Sequence, residues 1–219
     1  MATGDDMKND IDNVKKFREA FGAFADEFMV SPFDFLYESD LQALLFSVCR
    51  KKLSDQRVFL PGGFLKVDDY KDLLDGQNRM GISTSVIKSE YPGDHRFDIA
   101  LLDPDYVYGY EGREVGKVIK NDFFWGQPVR AAIELKYLQV SDLPAYRRRG
   151  FQRDIEKLGQ YTPKGKFFGL AALCLQSISH SSDYFGENKS RIDVGSIGDT
   201  GIYSCIVQPG QPVKFFREK

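Results

Sequence analysis

Apolar side chains at Val14, Phe17, Phe21, Phe24 and Phe28 recur at helical spacing. They predict a core-packing helix over residues 11–28, ended by Ser31-Pro32. Leu41, Leu44, Leu45 and Val48 form the apolar face of a second helix over residues 37–53. The pattern then shortens to extended segments at residues 57–60, 63–67 and 83–91. Pro92-Gly93-Asp94 is a turn signal, so residues 84–91 and 96–102 read as an antiparallel hairpin. Residues 104–128 are rich in Tyr, Gly and charge, hold the only tryptophan (Trp125), and read as an insertion. Residues 129–138 form the next strand. Phe151, Ile155 and Leu158 mark a helix within residues 141–161. Residues 167–175 are an unbroken apolar run of strand length, consistent with a central strand buried on both faces. Short strands at 202–207 and 213–216 follow.

Two of these strands carry charge among apolar neighbours. The first is Arg96-Phe97-Asp98-Ile99-Ala100-Leu101-Leu102 and the second Ala132-Ile133-Glu134-Leu135-Lys136-Tyr137. Residues two apart in a strand share a face, so Glu134 and Lys136 project together with Ala132, while Ile133, Leu135 and Tyr137 project the other way. Buried charge is costly unless it is paired or bound to something. Two carboxylates able to converge on a divalent cation, beside a lysine able to act on water, are the components of a metal-dependent phosphodiesterase site. The plain alternative is a Glu134–Lys136 ion pair on a half-exposed strand.

Asp98 on one strand followed by Glu134-x-Lys136 on the next resembles the PD-(D/E)XK nuclease superfamily, with Phe97 standing where the motif has its proline. The resemblance covers residues 37–207. It implies a restriction-endonuclease-like fold: a three-layer α/β/α core around a central mixed sheet. Residues 1–30 would be an N-terminal helical extension and residues 104–128 an insertion in a single domain of residues 1–219. It implies Mg²⁺ or Mn²⁺ held by Asp98, Glu134 and the backbone carbonyl of Leu135. Lys136 would orient or help deprotonate the attacking water. Glu38, near the start of the second helix, resembles the glutamate that this superfamily points at the metal. The acid there is equally suited to a helix N-terminus with no further role. The implied activity is endonucleolytic hydrolysis of phosphodiester bonds, in DNA ahead of RNA.

Arg147, Arg148, Arg149 and Arg153 form the one dense basic cluster, and with Lys157 they are the candidate nucleic-acid contacts. A solvated charge run is the competing reading. Net charge is −2 and the pI about 5.8, which excludes a generic basic nucleic-acid coat but not local contact at a cleavage site. Hydrophobic content of 42% with 28% charged residues is ordinary for a globular chain. No apolar run approaches the ~20 residues that span a bilayer, and the polar, acidic N-terminus does not read as a secretory signal. Cys49, Cys174 and Cys205 sit in apolar surroundings and read as reduced core thiols of a cytoplasmic protein. His95 and His180 lack ligand-spaced companions, so zinc chemistry is not expected. Two further functional readings stand beside the nuclease: a nuclease-fold binding or regulatory module with little or no catalysis, and an RNA- or structure-specific nuclease. A symmetric homodimer is a further expectation, since cutting two strands suits two copies.

Overall fold

The structure, a computed structural model, describes residues 4–60, 82–92, 96–103, 129–139, 144–161, 166–177 and 191–218. The expected strand at 63–67, the 104–128 insertion, His95 and His180 lie outside these residues. Two long helices come first, α1 (Gly4–Val30) and α2 (Glu38–Lys52), separated by a 3-10 turn at Pro32–Asp34. β1 (Arg57–Leu60) and β2 (Ile82–Ser85) form a small antiparallel pair. The rest builds one seven-stranded sheet: β3 (Ile87–Tyr91), β4 (Phe97–Leu102), β5 (Val129–Leu138), β6 (Phe168–Leu175), β7 (Arg191–Ile192), β8 (Gly201–Val207) and β9 (Lys214–Arg217). A third helix, α3 (Pro144–Gln160), joins β5 to β6.

Strand order across the sheet is β3-β4-β5-β6-β8-β9-β7. β3, β4 and β5 pair antiparallel, β6 runs parallel to both β5 and β8, and β9 and β7 return antiparallel at the far edge. The mixed pattern follows from the connections. A short turn joins β3 to β4 antiparallel, whereas the helical crossover through α3 brings β6 back parallel to β5. β6 is buried along its whole length, as its unbroken apolar run requires of a strand covered on both faces.

The sheet lies between helices. α1 packs on the face of Tyr137 and Phe168, with the Phe28 ring edge-on to Tyr137 and Arg18 over the Phe168 ring. Val14, Phe17, Phe21, Phe24 and Phe28 are all buried there, and α2 packs alongside α1 through Leu41, Leu45 and Cys49. α3 packs on the opposite face, that of Glu134 and Lys136. Gly169 of β6 is what lets it approach: a Cβ there would lie 2.8 Å from Ile202 Cδ1 and 3.3 Å from Leu158 Cδ2. The three cysteines are free and buried, and burial pushes each thiol's pKa up. Among the described residues no helix is long and apolar enough to cross a membrane.

Two expectations shift in detail. α1 is longer than the apolar stripe, because polar residues before Val14 continue the helix. The segment expected as one strand over 83–91 is divided at Val86 between the small sheet and the large one. Val86 is buried and its carbonyl accepts from the Leu102 amide, so the chain changes sheets without leaving a buried acceptor unpaired.

Candidate functional site

The site is built at the start of β4, where its antiparallel neighbour β5 continues beyond their pairing. The β4–β5 register places Ile99 opposite Ile133 and Ala100 opposite Ala132. Extended by one position, it sets Asp98 opposite Glu134. Beyond that point β5 has edge amides with no backbone partner on β4. A carboxylate takes each of two successive ones: Asp98 Oδ2 accepts from the Leu135 amide at 2.6 Å, and Glu38 Oε2 accepts from the Tyr137 amide at 3.0 Å. Side-chain acids thus complete a ladder that the strand leaves open, which brings Glu38, at the start of α2, next to Lys136 and Tyr137, 98 and 99 positions further along the chain.

Glu38 is held from its own side as well. Asp40 Oδ2 accepts from the Leu36 and Tyr37 amides at 2.8 and 2.9 Å, fixing the first turn of α2. The Tyr137 hydroxyl donates to the Phe35 and Pro32 carbonyls at 2.8 and 3.3 Å, tying the preceding segment to β5. One turn into α2, Gln42 Nε2 donates to the Asp98 carbonyl at 3.2 Å and to Glu90 Oε1 at 2.9 Å. Glu90 and Arg96, on either side of the β3–β4 turn, have φ of 51° and 47°. Both are in the left-handed region, which costs a non-glycine residue about 1–2 kcal/mol.

The two lysines are clamped by acids. Lys136 Nζ donates to Glu38 Oε1 at 3.0 Å and lies 3.6 Å from Asp154 Oδ2 of α3. Lys157, one turn further along α3, brings its Nζ to 2.7 Å from Glu134 Oε1 and donates to the Arg96 carbonyl at 3.3 Å. Glu134 Oε1 and Asp154 Oδ2 are thus buried oxygens whose neighbour is a lysine at ion-pair distance. Gly150 of α3 leaves room for the lysine stem; the nearest atom to a Cβ there would be Lys136 Cε at 3.5 Å.

Glu134 is 3% exposed. Burial, with the neighbouring Asp98 charge, pushes its pKa up to about 9 despite Lys157. Asp98 is raised to about 6, chiefly by burial and against the Leu135 hydrogen bond, with Glu38 adding repulsion. Burial likewise raises Asp154, against the pull of Lys136. For Lys136, burial acts downward, but attraction from Asp154 and Glu38 outweighs it and the pKa is raised. Lys136 is therefore a cation at neutral pH. In this state it is suited to orienting water or stabilising a phosphate.

The structure gathers Glu38, Asp98, Glu134, Leu135, Lys136 and Lys157 in one place. Glu134 and Lys136 do not pair with each other as a same-face ion pair; each finds its partner on a different element. Glu38 has both carboxylate oxygens engaged, on Lys136 and on the Tyr137 amide. Lys157, expected among the basic contacts, stands at Glu134. Arg149 and Arg153 are exposed on α3, while the side chains of Arg147 and Arg148 lie outside the described ones. Sequence reasoning passed over Tyr137, Glu90 and Gly150 as site-building residues. Gln42 lies four residues after Glu38 on α2 and so neighbours it on one flank of the helix.

Among the described residues no three Asp, Glu, His or Cys side chains form a ready metal cluster. The donor chemistry nevertheless suits a hard divalent cation: carboxylate oxygens, Glu134 Oε1 and Asp154 Oδ2 among them buried against lysines. A separate cavity of about 520 Å³ lies on the α1 face, lined by Phe21, Met29, Phe168 and Phe215 among others, away from these acids. No protein-family model matches the chain, no curated protein matches it in sequence, and no solved structure matches it.

Proposed function

We propose that this protein is a metal-dependent phosphodiesterase that cleaves nucleic acid, with a restriction-endonuclease-like core. The observation that carries the reading is the charge balance of one part-buried cluster. Four carboxylates (Glu38, Asp98, Glu134 and Asp154) meet only two lysines (Lys136 and Lys157). That leaves an excess of two negative charges, which a divalent cation offsets; without one, a proton on Glu134 relieves part of it. The order α2, three antiparallel strands, α3 and a parallel strand resembles that core and supports the reading.

Asp98 and Glu134 would hold the cation, with the Leu135 carbonyl as the further ligand that the resemblance implies. When bound, it supplies a lowered pKa for a coordinated water and offsets charge on the phosphate. Lys136, kept protonated by Glu38 and Asp154, faces the phosphate as a fixed positive charge and stabilises the charge that develops during displacement. Glu38 and Asp154 act through Lys136, setting its position and its charge. Lys157 keeps Glu134 placed, and the Asp98–Leu135 bond fixes the first ligand against the second.

Calorimetric titration of Mn²⁺ tests the metal half of the proposal. At neutral pH wild type is expected to bind with release of a proton from Glu134, joined by Asp98 only near pH 6 and below, and Asp98→Asn and Glu134→Gln are expected to lose binding. Undiminished binding in both variants would overturn the assignment.

A further inference from the structure

Exposed large apolar side chains are concentrated next to this site. Val30, Phe33, Leu36 and Tyr37 are exposed by 83, 68, 63 and 68%, and they fall within eight residues that end directly before Glu38. Among the described residues one other large apolar side chain, Val194, is comparably exposed. This clustering is not the scatter expected of a soluble surface.

The segment is firmly held. Phe35 is buried against Phe28, the Phe35 and Pro32 carbonyls accept from Tyr137, Gln139 donates to the Leu36 carbonyl, and Asp40 takes the Leu36 and Tyr37 amides. The same contacts that seat Glu38 therefore display two aromatic rings to solvent beside it.

We infer that Phe33 and Tyr37 form a stacking platform for unpaired nucleobases, so that the substrate strand is single-stranded where it enters the site. This rests on the phosphodiesterase reading and names its substrate class. Every base offers a π-face, and stacking on an exposed ring contributes without sequence readout. A duplex keeps those faces covered. A chain at −2 overall is no generic basic coat for either form, so stacking on exposed bases adds affinity that charge alone does not supply.

The test is anisotropy titration of a fluorescein-labelled DNA strand of about 20 nucleotides, longer than the ~4–16 nucleotides one such site covers, against the same strand in a blunt duplex and as RNA. Wild type is expected to bind either single strand at least about 10-fold more tightly than the duplex. Phe33→Ala and Tyr37→Ala are each expected to weaken single-strand binding by about 5- to 150-fold, and Tyr37→Phe, which keeps the ring, to bind as wild type. Equal binding of strand and duplex, no binding of the strand, or unchanged binding in both alanine variants overturns the platform. So does a dimer in sedimentation that both alanine variants dissociate, since the patch would then belong to a second copy. The phosphodiesterase reading is separable: loss of Mg²⁺-dependent cleavage with strand binding intact removes that reading and leaves the platform standing. Cleavage that is unaffected by both alanine variants removes the platform alone.

Discussion

Glu134 is the residue whose state depends most on its surroundings. Its pKa near 9 in the fold, against 4.5 in the open chain, means that the folded protein keeps a proton that the unfolded chain has already lost. Between those two values unfolding releases a proton, so stability present below pH 4.5 is progressively lost as pH rises through 9. Asp98, moved from 3.8 to about 6, has the same sign over its lower window. In metal-free protein, Tm is therefore expected to fall as pH increases from about 5 to about 9, and Glu134→Gln, which carries no titrating proton, to flatten that slope. A domain of this size shifts Tm by about 2–4 °C per kcal/mol, so scanning calorimetry across pH resolves the difference. A wild-type slope in Glu134→Gln would show that another group carries it. The strand positions of Asp98, Glu134 and Lys136 were legible because charge interrupts apolar strands in two places. Glu38 and Lys157 were candidates in the sequence, but alternation says only which face a side chain takes, and not which acid each lysine would meet: Lys136 pairs with Glu38 and Asp154, and Lys157 with Glu134.

Elements place these residues through close approach. α3 descends onto β5 and β6 because Gly169 presents no side chain, and its Gly150 passes over the stem of Lys136. The two glycines predict opposite outcomes. Gly169→Ala forces contacts of 2.8 Å with Ile202 and 3.1 Å with Phe167, and is expected to destabilise by about 1–3 kcal/mol. Gly150→Ala meets only Lys136 at 3.5 Å in a helix interior, and is expected to be neutral or to stabilise by up to about 1 kcal/mol. Urea midpoints of the two variants check the pair, and a stabilised Gly169→Ala would contradict the packing described. The periodic helices and the apolar run of β6 were plain in the sequence, since burial on one stripe or on both faces imposes a pattern. β7 was not, because two residues carry no period, and its place beside β9 is fixed by pairing alone. The division at Val86 was equally hidden: both halves are extended, and only hydrogen bonding separates them.

At the scale of the whole molecule, an acidic chain carries a small basic cluster on α3, an anionic site at the end of β5 and an apolar rim beside it. Phosphate contacts in such an arrangement are few. Because each contact to a single strand contributes about 0.7 to the slope of log affinity against log salt, that slope is expected to be shallower than about −3, whereas a slope of −5 or steeper would require an extended basic track. The proposed phosphodiesterase activity belongs to the acid–lysine cluster. Its most direct test is gel analysis of labelled single-stranded and duplex DNA incubated with Mg²⁺, using wild type, Glu134→Gln and Lys136→Ala, each first shown to be folded. Wild type is expected to cleave in a Mg²⁺-dependent manner, Glu134→Gln to lose cleavage, and Lys136→Ala to cleave about 10²-fold more slowly or worse. Full activity in folded Lys136→Ala, or cleavage by wild type that is indifferent to Mg²⁺, would contradict that assignment.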